Sequence, residues 1–228
     1  MRRLSPAASA RQLVVMARWP APGRCKSRLA AGTGRRRAAA VQERLTAHTL
    51  AAARGLAALA AADHDRTVPD LVLAVDGLAL RAARRWGASL GAARVRSQGP
   101  GGLGLRLRRQ LHAARGEGAR AVVLVGSDLP TLAAVELLEA FRALERTPLV
   151  LGPARDGGYW LIGLAGGALR HPAGAAAALF AGRGEAIAWG SPRVLAQTLA
   201  AAEAAELPWQ LLGERDDLDR PEDLRPWR

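Results

Sequence analysis

The stretch Ala121-Val-Val-Leu-Val-Gly-Ser-Asp-Leu-Pro130 decides the fold. Five apolar residues, mostly β-branched, run into Gly126, Ser127 and Asp128. So short a run, ended by turn residues, reads as a strand buried on both faces. Strands of that kind belong to parallel sheets covered by helices. In open sheets of this type ligands bind beyond the carboxyl ends of the strands. Asp128 stands at such a position.

Working outward, Gln12 to Ala17 and Leu71 to Val75 are two more buried strands, and Arg94 to Ser97 is a weaker one. Helical patterns fall between them, at about 35–62, 78–86 and up to about 115. Another follows Pro130 to about Glu145. Leu149 to Leu151 and Tyr159 to Leu164 read as strands, and Trp209 to Leu212 as a last short one. Strands alternate with helices, so the expected fold is α/β: a three-layer, doubly wound, mostly parallel sheet. The link from Leu151 to Tyr159 is too short for a helical crossover, which argues against simple parallel neighbours there. Residues 1–10 read as a flexible extension and 11–228 as one domain.

Half of the 228 residues are apolar, enough for a sizeable core. The lone cysteine, Cys25, excludes internal disulfides and a cysteine-based zinc site. The histidines show no zinc spacing. No window approaches the roughly 18 apolar residues of a membrane span, and Leu13 to Ala17 is too short for a signal peptide. The expected location is cytoplasmic, with no membrane partner. The net charge of +13 invites a nucleic-acid reading. Yet the basic residues are spread along the chain without interleaved aromatics, so no nucleic-acid partner is expected. Of the 33 basic residues all but Lys26 are arginine, and Tyr159 is the only tyrosine. Two residues that survive such a bias point to chemistry at their positions.

Five segments can carry that chemistry. Pro20-Ala-Pro-Gly-Arg-Cys-Lys-Ser-Arg-Leu29 joins a glycine loop to the cations Arg24, Lys26 and Arg28, which suits an anion. Its spacing is not that of a Walker A loop. Gln98-Gly-Pro-Gly-Gly-Leu-Gly104 is a glycine-rich helix entry. Gly126-Ser-Asp128 aims a carboxylate at the crevice, where oxygen ligands suit a Mg²⁺-type cation. In Asp156-Gly-Gly-Tyr-Trp160 paired glycines admit a ligand, and Asp156 can accept from hydroxyls. Asp216-Asp-Leu-Asp-Arg-Pro-Glu-Asp-Leu224 clusters carboxylates that repel unless a cation or arginine neutralises them. Pro221 suits the first position of a short helix. Asp76-Gly77 reads as a turn. Gly87-Ala-Ser-Leu-Gly91 follows a helix, so it is no nucleophile elbow.

In this order and spacing the five segments resemble a small bacterial group of GT-A-type glycosyltransferases, the selenodomain-associated or arsenosugar-biosynthesis type. Leu179-Phe180, Trp189-Gly-Ser and Val194-Leu-Ala-Gln-Thr198 fit it too. The resemblance implies a nucleotide-diphospho-sugar transferase fold. It implies a donor site of Pro22, Gly23, Arg24, Lys26 and Arg28 at the phosphates. Gln98, Gly104, Arg106, Gly157, Gly158 and Tyr159 would line the nucleotide and sugar crevice. Asp128 with Asp217 or Asp219 would hold Mg²⁺ or Mn²⁺, and Asp156 and Lys26 are the catalytic candidates. Three positions depart from the group. Ser127 leaves one carboxylate where an acid pair is usual, Gly102 replaces an acid, and Arg220 replaces a helix-capping threonine.

The expected activity is sugar transfer from a nucleotide-diphosphate donor to a small-molecule acceptor. The same fold hosts nucleotidyl transfer, with release of pyrophosphate from a nucleoside triphosphate. A non-enzymatic, arginine-rich nucleic-acid binder is a third alternative. The sequence is silent on oligomeric state.

Overall fold

The computed structural model describes residues 10–62, 68–170, 179–180 and 187–227. The expected extension, but for Ala10, lies outside the described residues, as does most of the alanine-rich stretch 168–181.

Seven strands form one sheet: β1 (Arg11–Arg18), β2 (Asp70–Asp76), β3 (Arg94–Ser97), β4 (Ala121–Gly126), β5 (Leu149–Pro153), β6 (Tyr159–Ala165) and β7 (Trp209–Leu211), in the order β3-β2-β1-β4-β6-β5-β7. All neighbours are parallel except β6, which runs antiparallel to both β4 and β5. The short link from Pro153 to Tyr159 forces that reversal, and β6 is thereby inserted between β4 and β5.

Side chains alternate across the sheet and build a three-layer core. From β1, Leu13, Val15 and Ala17 face one cluster with Leu50, Leu56, Trp86 and Phe141. These partners come from α2 (Arg35–Ala62), α3 (Leu80–Ser89) and α5 (Ala134–Ala143). Val14, with Val72, Leu124 and Ile162, faces the other, where Leu107 and Leu111 of α4 (Leu103–Gly116) and Ala202 pack. A short α6 (Gly166–Arg170) follows β6, and Ala202 lies on α7 (Val194–Ala204). No helix among the described residues is long and apolar enough to cross a membrane.

One helix was not expected. The basic loop ends early, and α1 (Ser27–Thr33) begins directly after Lys26. Seven residues are too few to hold a helix alone. Tertiary packing fixes this one, through Leu29 in a small cluster with Ala38, Leu45, Leu218 and Leu224. The last two come from the chain's end, where a 3₁₀ helix (Pro221–Trp227) starts at Pro221, as expected. Pro221 rests so closely on α1 that a Cβ at Gly32 would lie 2.5 Å from its ring.

At the amino ends of the strands lies a separate polar network. Glu117 accepts from Gln12 at 3.0 Å and from Arg94 at 2.5 Å, and also from Arg96. Arg94 pairs with Asp70 as well, at 3.0 Å. This network braces β1, β2 and β3 at the end opposite the site.

Candidate functional site

Lys26 is the hinge of the site. Its backbone is left-handed, with φ 48°, a conformation rare outside glycine and asparagine. That turn sends the side chain inward, where it is only 4% exposed. Nζ donates to the Leu218 carbonyl at 2.6 Å and pairs with Asp128 Oδ1 at 2.6 Å. The Leu218 amide donates to the Asp128 carbonyl at 2.9 Å. The basic loop, the end of β4 and the acidic tail are thus tied at one point. Lys26, expected as a phosphate-loop cation, lines the first of two clefts as a nearly buried ammonium bonded to Asp128.

Beyond the carboxyl ends of β1, β2 and β4 opens a cleft of about 350 Å³, lined by Arg18, Lys26, Asp76, Gln98, Arg106, Asp128, Tyr159 and Asp219 among others. Gln98 is buried and donates to the carbonyls of Ala17 and Ala74, joining β1 and β2 where they end. Arg106 reaches across from α4, bonding the Gly101 carbonyl at 2.8 Å and Asp76 at 2.6 Å. Arg18 pairs with Asp76 at 3.0 Å. Asp76 is a site residue that its Asp-Gly turn signal conceals. Gly104 is explained by packing, since a Cβ there would lie 2.7 Å from the Trp189 ring. Ser127 is 3% exposed and accepts from Gln42 of α2 at 3.1 Å. An acid at that position would enter the helix–sheet interface. Pro22, Gly23 and Arg24 do not line this cleft, and Gly23 (φ 79°) closes the turn into α1.

A second cleft of about 230 Å³ continues from the first, sharing Leu103, Gly126, Asp128, Tyr159 and Trp160. Its other walls include Asp156, Gly158, Trp189, Ser191 and Asp217. The turn before β6 is self-capped, with the Gly158 amide donating to Asp156 Oδ1 at 2.9 Å. Gly157 (φ 86°) is required by the protein's own packing. A Cβ there would meet the Pro192 carbonyl at 2.1 Å, and its own carbonyl accepts from the Leu195 amide at 2.9 Å. Tyr159 meets Trp189 edge to face, with ring centroids 6.4 Å apart. Its hydroxyl is buried near Thr198, whose own proton goes to the Val194 carbonyl at 2.8 Å. Trp160, Trp189 and Ser191 lie in the quoted motif segments, but none was a candidate site residue; the fold brings them here.

The acidic tail contributes to both clefts, Asp219 to the first and Asp217 to the second. Arg28 pairs with Asp219 at 2.9 Å, so this cation holds a carboxylate. Asp223 accepts from the amides of Asp219 and Arg220, which supplies the cap that Arg220 cannot. Asp217 is half-buried, and its pKa is pushed up to about 6, first by burial and then by the Asp156 and Asp128 carboxylates, with Lys26 opposing. A carboxyl in that state gains from a cation beside it. Among the described residues no three His, Cys, Asp or Glu side chains converge enough to enclose a metal unaided. One or two carboxylates with ligand phosphates and water are, however, the usual set for Mg²⁺. Asp128 and Asp217 fit that set, while Asp219 is already engaged by Arg28.

A mostly parallel sheet with one antiparallel strand inserted, and clefts beyond its carboxyl ends, defines a nucleotide-diphospho-sugar transferase-like GT-A fold. The chain belongs to the family described as uncharacterized protein conserved in bacteria (DUF2064), whose model matches residues 57–191. It is similar to a protein of Desulfovibrio desulfuricans G20 provisionally assigned as a nucleotide-diphospho-sugar transferase. The two are 28% identical, with 95% of this chain and 85% of that one covered and a TM-score of 0.76. The fold is also that of glucosyl-3-phosphoglycerate synthase from Mycobacterium tuberculosis, solved with Mn²⁺, UDP and glucosyl-3-phosphoglycerate (16% identity, 95% and 75% covered, TM-score 0.56). It is shared by 4-diphosphocytidyl-2C-methyl-D-erythritol synthase from Anaerococcus prevotii DSM 20548 (10% identity, 94% and 95% covered, TM-score 0.55). No curated protein sequence matches the chain.

Proposed function

We propose that this protein transfers a sugar from a nucleoside-diphosphate donor to an acceptor hydroxyl with the help of a divalent cation, and that residues 11–228 act as one domain. The observation that carries the reading is the position of Asp128. Its carboxylate stands at the end of β4, where two contiguous clefts meet. A donor in the larger cleft and an acceptor in the smaller would react across that carboxylate. The motif resemblance to bacterial glycosyltransferases, the likeness to the Desulfovibrio protein and the Mn²⁺ in a protein of the same fold support it.

In this reading Arg18 and Arg106 face the donor, with Asp76 holding both guanidinium groups in place. Gln98 fixes the cleft floor. Asp128 and Asp217 hold Mg²⁺ or Mn²⁺, which when bound neutralises the leaving diphosphate. Lys26 keeps the Asp128 carboxylate aimed and stabilises charge developing beside it. Asp156, in the acceptor cleft, is positioned to accept the proton of the attacking hydroxyl.

The testing experiment is a calorimetric screen of UDP, GDP, CDP and their sugars, with and without Mn²⁺, followed by product analysis. Metal-dependent binding and release of a nucleoside diphosphate are expected. Release of pyrophosphate from a nucleoside triphosphate would replace this reading with nucleotidyl transfer, a chemistry that proteins of this fold also perform.

A further inference from the structure

The two clefts differ in charge. The larger balances Arg18, Lys26 and Arg106 against Asp76, Asp128 and Asp219. Among the described residues the smaller is lined by Asp128, Asp156 and Asp217 and by no lysine or arginine. That absence is notable in a chain with 33 basic and 20 acidic residues. The remaining walls are apolar or small: Tyr159 and Trp189, the aliphatic Leu103, Leu129 and Val194, and Gly190 and Ser191 among them. Trp189 is held in place by Phe180, stacked at 17° with centroids 6.4 Å apart, and by the bare backbone of Gly104.

We infer that the smaller cleft selects an acceptor with hydroxyls and no negative charge, a neutral carbohydrate or polyol. Like charges across a contact repel, so a phosphorylated or carboxylated acceptor meets Asp156 and Asp217, which no lysine or arginine among the described lining residues faces; Asp128 is paired with Lys26 from the other cleft. With a divalent cation on Asp128 and Asp217, its charge is met by those carboxylates and the donor's diphosphate, and Asp156 still faces the acceptor with no lysine or arginine among the described lining residues. The tryptophan and tyrosine faces suit the apolar C–H faces of a sugar ring, while Asp156 and Ser191 can exchange hydrogen bonds with its hydroxyls. The inference rests on the donor–acceptor division proposed above. It excludes the phosphorylated acceptors that a basic cleft would take.

Saturation-transfer-difference NMR on the full chain, loaded with UDP and Mg²⁺, compares methyl α-D-glucopyranoside with glucose 6-phosphate. The neutral glycoside should bind at least about tenfold more tightly. Trp189→Ala should abolish its signal. Ser191→Lys, which adds a cation without touching the turn before β6, should reverse the preference. Equal or tighter binding of glucose 6-phosphate to the parent protein, no binding of either probe, or a glycoside signal unmoved by both variants would overturn the inference. Calorimetry with UDP and GDP on the same sample reads the donor half by itself. If no nucleoside diphosphate binds, the proposed donor chemistry falls, and the sugar pair is still compared on the protein alone, where the cleft's charge is the same.

Discussion

Replacing Lys26 by arginine keeps the charge and enlarges the head group. The ammonium fits between the Leu218 carbonyl and Asp128 Oδ1, both at 2.6 Å, in a space that is nearly closed. A planar fork cannot serve both acceptors from there. Lys26→Arg should cost about 1–3 kcal/mol of stability and weaken nucleotide binding about 10- to 100-fold, read by urea melts and calorimetry. Asp128→Asn should abolish metal-dependent nucleotide binding. Because Asp128 is half exposed, it should cost only about 1–2 kcal/mol of stability, from the poorer company left to Lys26. Adding Lys26→Met should restore stability and leave binding absent. Unchanged Mn²⁺ and nucleotide affinity in Asp128→Asn would place the cation elsewhere. The sequence pointed to both residues, Lys26 as the lone lysine and Asp128 at a strand's end. Their pairing was not legible, because it depends on the left-handed turn at Lys26 and on a tail 192 residues away. Asp76 was hidden for a related reason: Asp-Gly is a turn signal whatever the carboxylate touches.

At the scale of elements, α4 is preceded by Gly102, an N-cap with no side chain to offer, in extended backbone with open space around it. Gly102→Asp should supply the missing cap and raise stability by a few tenths of a kcal/mol. A melting temperature that falls would show that the glycine serves another purpose. The opposite case is Gly157, where φ is 86° and Pro192 leaves no room. Gly157→Ala should displace the start of α7 from the turn before β6, and with it Trp189. A tryptophan emission shift and a loss of at least about 1–3 kcal/mol would report it. Elements of this kind explain what the sequence showed and what it hid. Buried runs such as Ala121 to Val125 announce their strands, because only a strand satisfies five apolar residues between turns. α1 made no announcement, since its seven residues hold one buried anchor, Leu29, and their helicity comes from contacts with α2 and the tail. The antiparallel sense of β6 followed from a link too short to cross over, whereas its insertion between β4 and β5 is a tertiary choice.

Across the whole molecule the two ends of the sheet carry different work. The amino end is braced by Glu117. Burial raises its carboxyl pKa, but hydrogen bonds from Gln12 and Arg94 and the charges of Arg96 and Arg94 outweigh that and hold it below its usual value. A carboxyl with a lowered folded pKa stabilises the fold above its unfolded value, near 4.3. That contribution is lost as the pH falls through the folded value. Urea melts from about pH 6 down to about pH 3 should therefore show a shallower loss of stability in Glu117→Gln than in the parent. Parallel curves would remove Glu117 from the acid response. The carboxyl end, by contrast, depends on a contact between distant parts of the sequence, for Lys26 reaches Leu218 across 192 positions. During synthesis Leu218 leaves the ribosome 192 residues after Lys26. A nascent chain that stops before Leu218 holds a lysine with one acceptor fewer and leaves Leu29 without the Leu218 and Leu224 side chains packed beside it. Such a chain cannot position Asp128, and its loosened α1 is the sort of local opening through which proteases cut. The site thus waits for residues 218–224, and a product cut short of them should be digested faster than the parent through the same opening.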